Sequence, residues 1–252
     1  MQRISEENEE ERFVRLILEG RGYSVQRIME APPAKRADFS ASAGTEQLLI
    51  EVKTLVPPPV DLQNGLAFWD TELGYRNTTS AILRNGGQQL VATPHTAEAL
   101  RVIWFVLRHV DWEVQAEQVK ATAYGSVDLI DLAETPMARP CYLFTFSEFW
   151  RSRDLDGVIV GNLQSGRLCA NPWSKRAQLF RSTTLSSFFE EMDAVSDPFK
   201  EEAEGRAFVA DFQGDRRDET AVLDYVRMKY GRERLIPFRP TMHRGAALLP
   251  RP

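Results

Sequence analysis

The sequence predicts an α/β protein whose core runs helix, three strands, helix, strand, closing a small mixed sheet flanked by helices. Three observations carry that prediction. Residues 6–20 are amphipathic at helical spacing. Residues 47–55 alternate between two chemically distinct faces, and residues 101–107, Arg-Val-Ile-Trp-Phe-Val-Leu, form a nearly unbroken apolar, β-rich run. An α+β extension follows this core toward the C-terminus.

The first helix is expected from Glu6 to Gly20. Ser5 is placed to cap it, and an acidic first turn suits the helix dipole. Phe13, Leu16, Ile17 and Gly20 fall at helical spacing and define the expected buried stripe. Gly22 ends the helix, and Tyr23-Ser24-Val25 begins the first strand.

The next two strands carry the chemistry. Arg36-Ala37-Asp38-Phe39 precedes Ile50-Glu51-Val52-Lys53, with Gly44-Thr45 between them as a tight turn. A two-residue loop there pairs Ala43 with Glu46, and the same register sets Asp38 opposite Glu51. Leu48, Ile50 and Val52 then point one way, and Leu49, Glu51 and Lys53 the other. A Glu-x-Lys pair on a strand is ordinarily an exposed charged surface. Two carboxylates directly opposed across a ladder are different, because like charges there are destabilising. A divalent cation between them removes that penalty.

Beyond the hairpin, Val56-Pro57-Pro58-Pro59-Val60 cannot continue a ladder and reads as a stiff extended exit. Residues 62–79 read as a loop or short helix containing Trp69 and Tyr75. Residues 79–93 read as a helix interrupted by Gly86-Gly87. The apolar run 101–107 is a central strand buried on both faces. Further on, the pattern predicts a helix over 114–124, a strand over 140–146, a hairpin from 158–161 and 168–170, and a short helix over 185–192. Residues 200–204 read as charged and exposed. Residues 218–230 read as a helix ended by Gly231, and 239–252, with its prolines and arginines, as extended or disordered. The expected division is a core over 1–110, its α+β continuation or a small second domain over 111–195, and a C-terminal helix and tail over 196–252.

With 252 residues, 43% hydrophobic and 27% charged, the chain suits one large or two small globular domains. No apolar run is long enough to span a bilayer, so no membrane association is expected. The polar, acidic start shows no secretory signal, and Cys141 and Cys169 lack metal-ligand spacing. Both point to reduced thiols and a cytoplasmic protein. His95, His109 and His243 are widely separated, which gives neither zinc binding nor a Ser-His-Asp site local support. A net charge of -5 argues against binding duplex DNA over the whole surface, but not against a local basic groove. Arg27, Lys35, Arg36, Arg76, Arg84, Lys175, Arg176 and Arg181 are the candidates for such a groove.

The order of helix with Glu, strand with Asp, and strand with Glu-x-Lys resembles the PD-(D/E)XK, or restriction-endonuclease-like, nuclease superfamily. The segment from Glu11 to Arg27 is similar to the first helix and strand of archaeal Holliday-junction resolvases. The resemblance covers about the first fifth of the chain in detail and about two fifths in outline. Ala37 stands where the family motif has Pro. The resemblance implies a catalytic set of Glu11, Asp38, Glu51 and Lys53. Glu7, Glu9 and Glu10 are alternatives to Glu11 should the helix register shift. In several branches a Gln or Lys of the following helix joins the site, which points here to Gln88, with Gln89 beside it. Asp38, Glu51 and the backbone carbonyl of Val52 would hold Mg²⁺ or Mn²⁺. Hard cations of this kind take oxygen ligands, and they stabilise charge on a phosphate while acidifying a bound water. Lys53 would orient that water or act as base.

The implied activity is divalent-metal-dependent endonucleolytic cleavage of nucleic acid, DNA above all. The alternative is a catalytically inactive nuclease-like fold that binds nucleic acid or a protein. Nucleases of this fold often act as dimers, so a homodimer is a further expectation.

Overall fold

Gly44 adopts a left-handed backbone (φ 57°), which lets Gly44-Thr45 close the central hairpin in two residues. The computed structural model describes residues 7–29, 35–55, 60–63, 66–109, 111–133, 137–240 and 242–248. Ser5, Glu6, the exit at 56–59 and the end of the tail at 249–252 lie outside the described residues.

In chain order the elements begin with α1 (Glu9–Gly20), β1 (Ser24–Arg27), β2 (Phe39–Ala43), β3 (Glu46–Thr54), β4 (Val60–Gln63), β5 (Leu66–Glu72) and α2 (Asn77–Ala92). They continue with β6 (Leu100–Val106), α3 (Trp112–Tyr124), β7 (Val127–Asp131), β8 (Ala138–Tyr142), α4 (Glu148–Arg151), β9 (Gly157–Gly161) and β10 (Gly166–Ala170). The last are α5 (Ala177–Arg181), α6 (Thr184–Glu191), β11 (Val195–Ser196), α7 (Pro198–Ala203), β12 (Phe208–Val209), α8 (Glu219–Tyr230), β13 (Leu235–Phe238) and β14 (Met242–Leu248).

The chain folds into two units that it enters alternately. One comprises 1–55, 80–107 and 148–197; the other comprises 56–79, 108–147 and 198–252. The contiguous division at 110 and 195 expected from sequence is therefore replaced by an interleaved one.

The first unit is built on a seven-stranded mixed sheet in the order β1-β2-β3-β6-β9-β10-β11. β1, β2 and β3 are antiparallel neighbours, whereas β6 runs parallel to both β3 and β9. Leu48, Ile50, Val102, Trp104 and Ile159 on one face pack with Val14 and Leu18 of α1 and with Phe180, Leu185 and Phe189. β6 is buried along most of its length, as its apolar run requires. The fold is thus α/β, a mixed sheet flanked by helices.

Several local expectations are corrected. Asn8 caps α1: its Oδ1 accepts the Glu11 N–H at 2.8 Å, and Glu11 Oε2 accepts the Asn8 N–H at 3.1 Å. The buried positions of α1 are Val14 and Leu18, with Phe13 and Ile17 half-buried. Leu16 is 56% exposed, and Gly20 is exposed too. The apolar stripe is therefore rotated from the expected one. α2 runs unbroken through Gly86-Gly87. Packing of that helix on the sheet outweighs the propensity cost of the glycines, about 1 kcal/mol each.

The second unit carries a four-stranded sheet (β12-β8-β7-β13) and a three-stranded sheet (β14-β5-β4). Residues 62–79, expected as loop or short helix, include β4, β5 and the start of α2. The tail forms β14, paired with β5 from Met242–Glu72 to Leu248–Leu66. Gly245 makes that pairing feasible, because a Cβ there would meet the Trp69 indole at 2.3 Å. The same indole donates to Asp111 Oδ2 at 2.6 Å, and His243 Nε2 lies 3.0 Å from that oxygen. β8 stops at Tyr142 because Leu143 turns left-handed (φ 58°), which shortens the expected 140–146 strand. Residues 200–204, expected to be exposed, include the end of α7, where buried Glu201 accepts the Tyr142 hydroxyl at 2.6 Å. Cys141 and Cys169 are free and buried. Among the described residues no helix is long and apolar enough to cross a membrane.

Candidate active site

The site is built by three elements of the first unit: the β2–β3 hairpin, α1 and α2. The ladder pairs Ala43 with Glu46 and Phe39 with Ile50. Asp38 immediately precedes Phe39 and lies just outside the ladder, so its expected pairing with Glu51 is not part of it. Asp38 is fixed on both sides by its backbone. Its N–H donates to the Ile50 carbonyl at 3.0 Å, and its carbonyl accepts the Ile28 N–H at 2.9 Å. The Asp38 carboxylate then replaces the next ladder bond: Oδ2 accepts the Val52 N–H at 2.7 Å. The N–H and C=O of a strand residue leave by the same edge. The Val52 carbonyl therefore faces the Asp38 side of β3, where the regular pairing has ended.

Glu51 is 1% exposed. Its Oε1 accepts from the Lys53 ammonium, while Oε2 has no hydrogen-bond partner among the described residues. Burial, first, and the neighbouring Asp38 carboxylate, second, push the Glu51 carboxyl up to about 7, against the pull of Lys53. Asp38 is also raised, chiefly by burial and further by Glu11, with the Val52 N–H opposing. Buried Glu51, raised by half-buried Asp38 beside it and with an oxygen that has no partner among the described residues, is in an environment that a hard cation would relieve.

Glu11 contributes to this field from α1. Its Oε2 accepts from Arg27 Nη2 at 2.9 Å as well as from the cap. Glu11 therefore reaches the site as a member of an ion pair. Glu7 is tied to Arg15 at 2.9 Å. Glu9 and Glu10 stand on the first turn of α1 beside the cap.

The structure corrects the glutamine. Gln88 is exposed, whereas Gln89 Oε1 accepts from Lys53 Nζ at 3.2 Å. One residue on a helix turns the side chain by about 100°, which separates these two fates. The missed contributor is Gly86. A Cβ at this position would stand 3.0 Å from Ile103 Cδ1 and 3.6 Å from Glu51 Cγ. The glycine lets α2 close directly over the carboxylate, and its signal in the sequence had the appearance of a helix breaker. Thr93, just past α2, accepts the Ala37 N–H at 2.8 Å and so anchors the residue before Asp38.

The expected basic groove is largely spoken for. Arg176 pairs with buried Asp156 at 2.8 Å, Arg181 with Asp197 at 2.6 Å and Lys175 with Asp154 at 3.3 Å. Arg84 lies 3.7 Å from Glu148. Lys35 is exposed and Arg36 half-buried near the hairpin.

The carboxylates of Asp38 and Glu51 and the Val52 carbonyl are oxygen donors, the type that Mg²⁺ and Mn²⁺ take, and such ions ordinarily fill further positions with water and substrate. Among the described residues no group of three or more His, Cys, Asp or Glu is gathered closely enough to close a metal site by itself. No protein-family model, curated relative or solved structure matches the chain.

Proposed function

We propose that this chain is a divalent-metal-dependent endonuclease that hydrolyses phosphodiester bonds in DNA, built on a PD-(D/E)XK core. The observation that carries this reading is the pair of half-buried Asp38 and buried Glu51. They are electrostatic neighbours at the end of one hairpin, with Glu51 Oε2 lacking a partner among the described residues and Lys53 bonded to Glu51.

A bound Mg²⁺ or Mn²⁺ would supply positive charge against the phosphate and acidify a water. Asp38, Glu51 and the Val52 carbonyl would hold it. Lys53, positioned by Glu51 and Gln89, presents N–H donors to the attacking water and to the phosphate oxygens. Glu11 and Arg27 close the flank of the pocket as an ion pair. Gly86 keeps α2 low enough to exclude bulk water from Glu51.

A second reading is a catalytically silent fold that binds nucleic acid or a protein. One observation favours it: the Glu51 carboxylate is already neutralised in part by Lys53. Plasmid DNA incubated with purified protein and Mg²⁺ or Mn²⁺ separates the two. Cleavage that disappears in Asp38→Ala and Lys53→Ala supports the nuclease. Retention of DNA on a gel without cleavage under either metal supports the silent fold.

A further inference from the structure

A cavity of about 810 Å³ lies in the second unit and is lined by none of the candidate-site residues. Its volume falls in the range of small-molecule sites. Its floor is one cross-strand row: Pro140, Asp128 and Phe238 are register partners on β8, β7 and β13, so their side chains share one face of the sheet. Lys120 lines the cavity from α3, Tyr75 from the turn before α2, and Arg239 from the end of β13.

The chemistry of this lining is specific. Asp128 is half-buried, and no described residue donates a hydrogen bond to its side chain. Burial raises its carboxyl, with Lys120 opposing. An ionised carboxylate only accepts, and its two oxygens are matched by two donors side by side. Phe238 is 46% exposed, leaving an aromatic ring at the rim, and Tyr75 offers a second ring. Rings of this kind are platforms for nucleobases. Lys120 and Arg239 bring positive charge to the lining; Lys120 lies 3.8 Å from Glu117, which also lines the cavity, and Arg239 2.8 Å from Glu219.

We propose that this cavity binds a guanine nucleotide. The N1–H and amino group of the base pair with Asp128, the ring lies against Phe238, and the phosphate turns toward Lys120 and Arg239. Among the common bases, guanine sets an N–H and an NH₂ adjacent on one edge. The proposal does not rest on cleavage at Asp38 and Glu51. Its source is a free nucleotide or an unpaired guanine in a strand, which share this chemistry.

The test is calorimetric titration of the full chain, without divalent metal, by GMP, AMP, CMP, UMP and ribose 5-phosphate. GMP is expected to bind about tenfold or more tighter than the rest, because a site built for two donors rejects bases that lack them. Asp128→Asn should weaken GMP by about tenfold or more, with circular dichroism unchanged, since the amide puts a donor against a donor. Phe238→Ala should weaken it as well. A single-stranded guanine hexanucleotide that binds more tightly than GMP assigns the source to a strand, and the reverse order assigns it to the free nucleotide. No saturation by GMP or the hexanucleotide at millimolar concentration would overturn the proposal. So would UMP binding as well as GMP, or full affinity in Asp128→Asn.

Discussion

The Asp38 carboxylate accepts the Val52 N–H at 2.7 Å just beyond the last ladder pair of the β2–β3 hairpin, beside buried Glu51, where a neighbouring carbonyl would otherwise accept it. The hairpin thereby ends in two neighbouring acids, one half-buried and one buried, instead of another hydrogen-bonded pair. The arrangement costs stability in the metal-free protein, and the consequences are measurable.

The first concerns pH. Glu51 titrates at about 7 in the fold against 4.5 as the ordinary value. The folded state therefore binds the proton more tightly than the unfolded state does. The associated stability is complete below about pH 4.5 and is lost as pH rises through about 7, amounting to roughly 3 kcal/mol. Urea unfolding of metal-free protein between pH 5 and 8.5 should show this fall, and Glu51→Gln should remove most of it.

Lys53→Met should make the metal-free protein still less stable above pH 7, because buried Glu51 loses its ion pair with Lys53. Removing one member of such a pair costs about 3–5 kcal/mol when the other stays charged. The loss should shrink toward pH 5, where Glu51 is protonated. Equal destabilisation at both pH values would contradict the pairing.

Gly86→Leu should destabilise by about 1–3 kcal/mol, as overpacking a tight contact does. A side chain there runs into Ile103 Cδ1 and approaches Glu51 Cγ. Gly20→Leu serves as control, since nothing stands within 4 Å of its Cβ position. Thermal melts of both variants decide whether α2 closes on the carboxylate as described.

Leu18→Ala should cost about 2–5 kcal/mol, because the side chain is fully buried. Leu16→Ala should stay within about 0.5 kcal/mol, since its side chain is more than half exposed. The reverse order would restore the stripe expected from the sequence alone.

These contrasts mark where the sequence was legible. The register from Ala43–Glu46 to Phe39–Ile50 could be counted from Gly44-Thr45, because a two-residue turn fixes the pairs behind it, whereas the departure at Asp38, whose N–H bonds to Ile50, could not. The strand at 101–107 and the cap at Gly231 were equally plain, being local patterns of period and turn chemistry. Gln89 was not separable from Gln88, since the answer depends on the rotation of α2 against β3. Gly86 looked like a helix breaker because its value lies in a contact with Ile103 and Glu51, far off in sequence. β14 was hidden for the same reason: its partner β5 is distant along the chain, and Gly245 is needed only because Trp69 lies beside it. Local propensity does not record such pairings.

The most direct test is calorimetric titration of the full chain with Mg²⁺ and Mn²⁺ at pH 8, with and without a DNA duplex. The expected result is saturable binding that weakens toward pH 6 as Glu51 takes up its proton, and that Asp38→Asn and Glu51→Gln each abolish. No uptake of either ion under both conditions, or uptake unchanged in both variants, would contradict a metal site between Asp38 and Glu51.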